Sequence, residues 1–463
     1  MRHLLLAELR DSWTAWAGVC LTFIAVNFAL ALPAQIGLIG VTGVLSGELN
    51  FWTSAAYTFG PGFNILMCLI VGAVVIGAST SLVVDSRRGS LARLALGGAT
   101  PSQVVATIMS QLAVVSLACA VIGDAIALGV LQPTLVFLAE GEIQPPAARY
   151  VLWPVLLANA AAVLAALIGG YRQAHRASLI PPVEALRQST AQPDERMGVG
   201  RWIRFALLFA AVAGAFALIP LLVSADQSER FSNVLTSGMV LLILAGAMLA
   251  SVAPRIVGPL TRVWTRLVPT SDPIWQLART TAVVKASRLS KSVVPVMLTI
   301  GLLFGMLVFY GVILGVARSL GIFDMSTTGI GTLLSFLGLP LLVSMSGGVG
   351  SLIMMSKQRD AELALAGIVG ATPAQRLCLP VLEGVIITVT GALLALVMVG
   401  ISMGFLAVAV PAAGFPFIVE PHLLAFAGTF GVCLLVTLAA TVGPTISSLR
   451  QPEPKVIARL VAE

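Results

Sequence analysis

Residues 87–103 read RRGSLARLALGGATPSQ, and residues 357–375 read KQRDAELALAGIVGATPAQ. Each passes from a basic turn, through a short helix-forming stretch, to GATP and then into a long apolar run. GATP occupies 98–101 and 370–373, an offset of 272 residues. At the same offset Gln103 falls on Gln375, Leu91-Ala92 on Leu363-Ala364, Pro182 on Pro454 and Arg187 on Arg459. Two copies therefore run from about 79 to 187 and 351 to 459 with no net insertion between their landmarks.

The GATP segment has a local physical logic. Gly98 and Gly370 can take the left-handed conformation that closes a helix. Thr100 and Thr372 can cap the next one. Pro101 and Pro373 fall at its first position, where no backbone N–H is needed. Gln103 and Gln375, three residues past each Thr, can complete a capping box. The motif predicts a stiff corner between a short helix and a long one, and a stiff corner transmits force.

The long runs set the solvent. The chain has 463 residues, 58% of them hydrophobic and 10% charged, with a mean hydropathy of +1.00. A soluble chain of this length would be about a quarter charged. Ten stretches reach the roughly 20 residues that a spanning helix needs. They lie near Trp13–Leu32, Pro61–Val84, Gln103–Leu131, Val151–Gly170, Phe205–Val223, Asn233–Ala253, Val294–Ala317, Gly329–Met355, Leu379–Val410 and His422–Ser447. With the N-terminus inside and the sides alternating, the inner segments carry 24 Lys or Arg, and the outer loops carry three: Arg149, Arg230 and Arg318. That is the bias of a cell-membrane protein with both termini cytoplasmic. It explains the net charge of +7 without nucleic acid. Arg10 and Asp11 precede the first apolar run, which reads as a retained helix and not a cleaved leader. The longest outer loop is expected at about Pro33–Gly60, so no ordinary folded domain fits outside. The inner segments at 171–204 and 254–293 are long and basic enough to hold amphipathic helices at the membrane surface.

The repeat extends backwards. Arg10 leads into the first span, Arg288 and Lys291 lead into the seventh, and Leu21-Thr22 align with Leu298-Thr299. Each copy then holds four helices, with the fifth and sixth as a spacer pair. The expected fold is an all-α integral membrane protein of about ten transmembrane helices. Two parallel four-helix repeats, 1–190 and 271–463, are joined by a two-helix spacer at 191–270.

The corner sequences resemble the FtsX-like permease family of ABC transporters, the group that includes the MacB and BceB type proteins. The resemblance rests on the basic turn and short helix ending in GAT, on the long apolar helix that follows, and on the closing segments PPVEALR and PEPKVIAR. It implies that a separate ABC-type ATPase dimer binds the cytoplasmic corners. The coupling residues would be Arg87, Arg88, Arg93, Gly98, Thr100, Pro101 and Gln103, with Lys357, Arg359, Glu362, Gly370, Thr372, Pro373 and Gln375 in the second copy. The family usually has Glu eight residues before the GAT glycine; the second copy keeps Glu362, and the first has Ser90. An acid commonly lies in the long helix; Glu383 fits, and the first copy has Gln111. The large extracellular domain of the BceB type has no room here, because the corresponding loop is about Arg318–Thr328.

The chain has no G-x-x-x-x-G-K-[ST] phosphate loop, so ATP and magnesium belong to the partner ATPase and this chain carries no cofactor. The five cysteines lack ligand spacing and read as packing residues, with no metal site. His3, His175 and His422 lie far apart and suggest no catalytic cluster. Asp124, inside the third span, is the candidate substrate residue, because an intramembrane acid is costly. Met and Phe along 297–309 can line a cleft or pack a core, and Gly347, Gly348 and Gly350 permit close helix approach.

These readings point to the permease subunit of an ABC transporter, with the lipid bilayer as its second partner. It would export an amphipathic or hydrophobic molecule such as an antimicrobial peptide, lipid or drug. The alternative is a non-transporting regulator that passes ATPase strokes to a cell-wall hydrolase, another envelope protein or a sensor kinase. An ion-coupled transporter would show inverted repeats and more intramembrane ionisable groups. An embedded enzyme would show a polar cluster.

Overall fold

The computed structural model describes residues 13–47, 51–87, 96–138, 149–178, 199–224, 227–270, 272–320, 329–418 and 423–449. These form α1 (Trp13–Leu45), α2 (Phe51–Ser86), α3 (Pro101–Leu138), α4 (Leu152–Ser178), α5 (Val199–Ala217), α6 (Ile219–Val223), α7 (Gln227–Arg266), α8 (Pro273–Val284), α9 (Ala286–Ser319), α10 (Gly329–Met354), α11 (Ser356–Ile368), α12 (Pro373–Ala412) and α13 (Leu423–Leu449). Ten of them are long and apolar enough to span: α1–α5, α7, α9, α10, α12 and α13. The protein is an all-α, multi-pass membrane protein.

Two expectations are corrected. The segment 33–60 is not a long loop: α1 runs on through Pro33 to Leu45, and α2 begins at Phe51. Gln35, Ile36 and Ile39 are buried on this extension, where the two isoleucines pack with Ala31, Tyr57, Ala127, Leu131, Leu135 and Val155. That burial holds the helix past its proline, whose missing N–H would otherwise break it. Likewise α7 does not stop at Ala253 but continues through Pro254 and Pro259 to Arg266. Its far end is fixed on α12, where Trp264 Nε1 donates to Thr390 Oγ1 at 3.0 Å and the Thr261 and Thr390 hydroxyls meet at 3.3 Å. Of the surface helices expected at 171–204 and 254–293, the second segment holds α8, capped by Asp272. Residues 179–198 lie outside the described residues.

The chain forms two compact units. One contains α1–α4 together with Gly338–Met354 of α10; the other contains α5–α9 and α11–α13. Thus α10, the second helix of the second copy, packs in the unit of the first copy. Glycine makes this possible. A Cβ on Gly18 of α1 would fall on the carbonyl oxygen of Gly350, and a Cβ on Gly350 would fall on the carbonyl of Gly18. A Cβ on Gly347 would strike the Val75 side chain of α2. Only glycine lets backbone meet backbone here.

In the second unit α7, α9 and α12 interlock. Gly246 and Gly301 accommodate Met398, Gly305 accommodates Leu242, and Ser402 Oγ donates to Gly238 O at 2.8 Å. Met297, Met306 and Phe309 are buried, so the 297–309 face is packed core and not an open cleft.

Candidate functional site: two matched corners

The glycine turn and the capping box form at both corners as their sequences predict; the short helix expected before the first corner falls on residues 88–95, outside the described residues. Gly370 has φ +101° and Gly98 φ +91°. After α11 the Gly370 N–H donates to Gly367 O at 3.0 Å and the Ala371 N–H to Ala366 O at 2.9 Å, the Schellman closure. The Thr372 N–H donates to Gln375 Oε1 at 2.9 Å and the Gln375 N–H to Thr372 Oγ1 at 3.3 Å. In the first copy the Thr100 N–H donates to Gln103 Oε1 at 2.9 Å and the Gln103 N–H to Thr100 Oγ1 at 3.4 Å. Pro101 and Pro373 open α3 and α12. Thr372→Ala removes one acceptor of this box and should cost about 1 kcal/mol. The measurement is hydrogen exchange, which should speed at the Gln375 amide and stay unchanged at the mid-helix Thr390 amide.

The corner tips are exposed and apolar. Leu96 in the first copy, and Leu365, Ile368 and Val369 in the second, face outward, with Val369 89% exposed. Leu96 and Ile368 are related by the repeat offset. Gly98, Thr100, Pro101, Gln103, Gly370, Thr372, Pro373 and Gln375 are exposed beside them.

The arginines behave differently. Arg87 and Arg359, 272 residues apart, are only 7% and 6% exposed. Arg87 donates to Gln111 Oε1 on α3 and lies over the Trp16 ring, 5.9 Å from its centroid. Arg359 Nε donates to Glu383 Oε2 on α12 at 2.8 Å, and its Nη1 donates to Thr441 O on α13 at 3.2 Å. Gln111 and Glu383 are themselves 272 apart. Each copy therefore ties the approach to its corner to its long helix with a buried guanidinium. One tie is to a neutral amide and the other to a carboxylate. Both bonds have an ionised donor, and the carboxylate adds the attraction of opposite charge, so the second corner is the more firmly held. Glu362 pairs with Lys285 at the junction of α8 and α9. Both side chains are well exposed, so that pair contributes little.

The site residues thus divide. The GAT residues gather at two exposed tips, whereas Arg87 and Arg359 face inward. Arg88 and Arg93 lie outside the described residues, as does the Lys357 side chain. Trp16, Thr441 and the apolar tips escaped sequence reading. The repeat register was the one signal that could have found the Arg87–Gln111 and Arg359–Glu383 pairs.

Asp124 is half-buried on α3, where it accepts a 2.7 Å hydrogen bond from Asn159 Nδ2 of α4. No corner residue is near it in sequence.

Fold and site define a polytopic helical membrane protein with two copies of one capped helix corner. A family model, the FtsX-like permease C-terminal domain, matches twice, over residues 62–182 and 334–452. The chain belongs to the FtsX-like permease family. The two matches begin 272 residues apart, the spacing of the two corners. Membership makes this a permease-type subunit of an ABC transporter; such permeases lack an ATPase domain of their own and generally pair with an ABC ATPase. A search of curated proteins finds no match.

Proposed function

We propose that this chain is the mechanical half of an ABC exporter in the cell membrane, with both termini cytoplasmic. A separate ATPase dimer, holding ATP and magnesium, grips the two corners from the cytoplasm. Its closure tilts α3 and α12, and an amphipathic or hydrophobic substrate crosses between the leaflets. The chain divides for this work into two four-helix repeats, 1–190 and 271–463, around a spacer at 191–270. One observation carries the reading. The same capped corner occurs twice, each with exposed apolar residues at its tip and a buried arginine behind it. Exposed Leu, Ile and Val beside a rigid helix end suit a groove on a protein partner, since burying each contributes about 1.5–3 kcal/mol. The 24:3 distribution of basic residues supports the orientation.

The test is co-purification. Ile368→Asp combined with Leu96→Asp places a charge at each tip, where no packing is disturbed. The permease should still fold and elute at its normal position, while recovery of its ABC-type ATPase falls at least about tenfold. Undiminished recovery would exclude the tips as the grip.

A further inference from the structure

Asp124 sits at the seam of α3 and α4, toward the end of the spans opposite the corners. Its buried neighbours are Gly123 and Ala127; Val121, Ile122, Ala125, Ile126 and Leu128 on its other side are exposed and in a membrane face lipid. Asn159 sits at the matching border of α4, between buried Val155 and Ala158 and exposed Leu156 and Leu157. The 2.7 Å bond from Asn159 Nδ2 occupies Asp124 Oδ2. Asp124 Oδ1 and Asn159 Oδ1 are both buried and have no protein partner.

A third such oxygen lies one helix away. Asn27 of α1 is 1% exposed, and its Nδ2 donates to Phe23 O at 2.8 Å. Its Oδ1 has no partner. Asn27 packs on Gly123, where an added Cβ would come within 3.0 Å of the Asn27 Cβ. The acid's free oxygen and that of Asn159 bonded to it thus lie together at the seam, and no ion pair among the described residues neutralises the acid. Each such group costs about 1–3 kcal/mol when left unmet. A ligand that enters from lipid and brings N–H donors and positive charge would satisfy them. Further along, Ala31, Leu32, Ile36 and Tyr57 of α1 and α2 are packed in a buried core, whereas Ala125, Ile126 and Leu128 beside Asp124 on α3 are exposed on the lipid side. Tyr150, outside the spans, has its phenol raised by burial and then by the Asp124 charge.

We infer that Asp124 and Asn159 form a lateral binding site for the primary-ammonium headgroup of a membrane-borne amphiphile. The inference names a substrate class for the export reading and rests on that reading for its purpose. The ammonium's donors meet Asp124 Oδ1 and Asn159 Oδ1, and its alkyl chain lies along Val121 and Leu128. An uncharged alcohol of the same length lacks the charge and two of the three donors.

The test uses the full chain in phosphatidylcholine nanodiscs with tritiated dodecylamine. Binding should be saturable, dodecanol should not compete, and Asp124→Asn should weaken binding at least about tenfold, the scale of a charge-assisted hydrogen bond. Equal binding by Asp124→Asn, or equal competition by dodecanol, would overturn the site. A second measurement needs no variant. Dicyclohexylcarbodiimide labelling of Asp124, mapped by mass spectrometry, should be slowed by dodecylamine and not by dodecanol; equal labelling in both would also overturn it. Binding without stimulation of the assembled ATPase would leave the site standing and remove the export reading. Absence of binding removes the site alone.

Discussion

Arg359→Ala should destabilise the protein by about 2–4 kcal/mol, somewhat below the roughly 3–5 kcal/mol of a fully buried broken pair. The reduction reflects Glu383, whose side chain is 27% exposed. The cost arises because the carboxylate loses its guanidinium at 2.8 Å, and Thr441 O loses the donor that ties α13 to the same point. Glu383→Gln should cost much less, about 1 kcal/mol, because it recreates the Arg87–Gln111 arrangement of the first copy. Combining Arg359→Ala with Glu383→Gln should recover part of the loss, giving a coupling energy of about 1.5–3 kcal/mol in a double-mutant cycle. Thermal unfolding of purified protein is the readout. Additive effects would mean that Arg359 acts through packing and not through its charge.

Gly350→Ala should be still more damaging, about 3 kcal/mol or more, at the upper end of overpacking costs. The added methyl meets the backbone carbonyl of Gly18 and, at 2.8 Å, Thr22 Oγ1. Backbone cannot change rotamer to make room. Gly18→Ala should behave alike, and the double variant should be little worse than either single one, because one separation of α1 from α10 relieves both. Gly404→Ala on α12 is the control: a Cβ there meets nothing within 4 Å, so stability should stay within about 0.5 kcal/mol. Comparing yield and melting temperature in detergent decides the matter. Unaltered stability in Gly350→Ala would mean that α10 does not press on α1 as described.

The functional weight of that crossing follows from chain order. Helix α10 packs with α1 and α2, yet two residues after it ends the chain is in α11, the short helix before the second corner. Under the proposed export function, a pull on that corner would pass along the chain itself to the helix seated against Gly18. The first copy has no such exchange, since α2 and α3 on either side of its corner lie in one unit.

What was legible in the sequence obeys short-range rules. Thr100 and Thr372 reach only three residues to their glutamines, and the glycines and prolines beside them restrict their own backbones. The ten spans follow from length and apolarity alone. What stayed hidden is non-local. Nothing in the stretch around Gly347 and Gly350 names Gly18 and Val75 as partners, because a glycine permits close approach to any helix. Pro33 and Pro254 read as stops, but burial on neighbouring helices outweighs the lost hydrogen bond. Arg87 and Arg359 fall among the expected ATPase-coupling residues, and nothing in their own short stretches says that they turn inward. Their partners lie 24 residues further along each copy, on the next helix, and only the register of the repeat links them.

The central claim is that an external motor grips both corners from one side. Single cysteines at Gln103 and Gln375, in a background with the five native cysteines replaced, should react with a membrane-impermeant maleimide in inside-out vesicles and remain unlabelled in right-side-out vesicles. Labelling of the two positions from opposite faces would contradict the account.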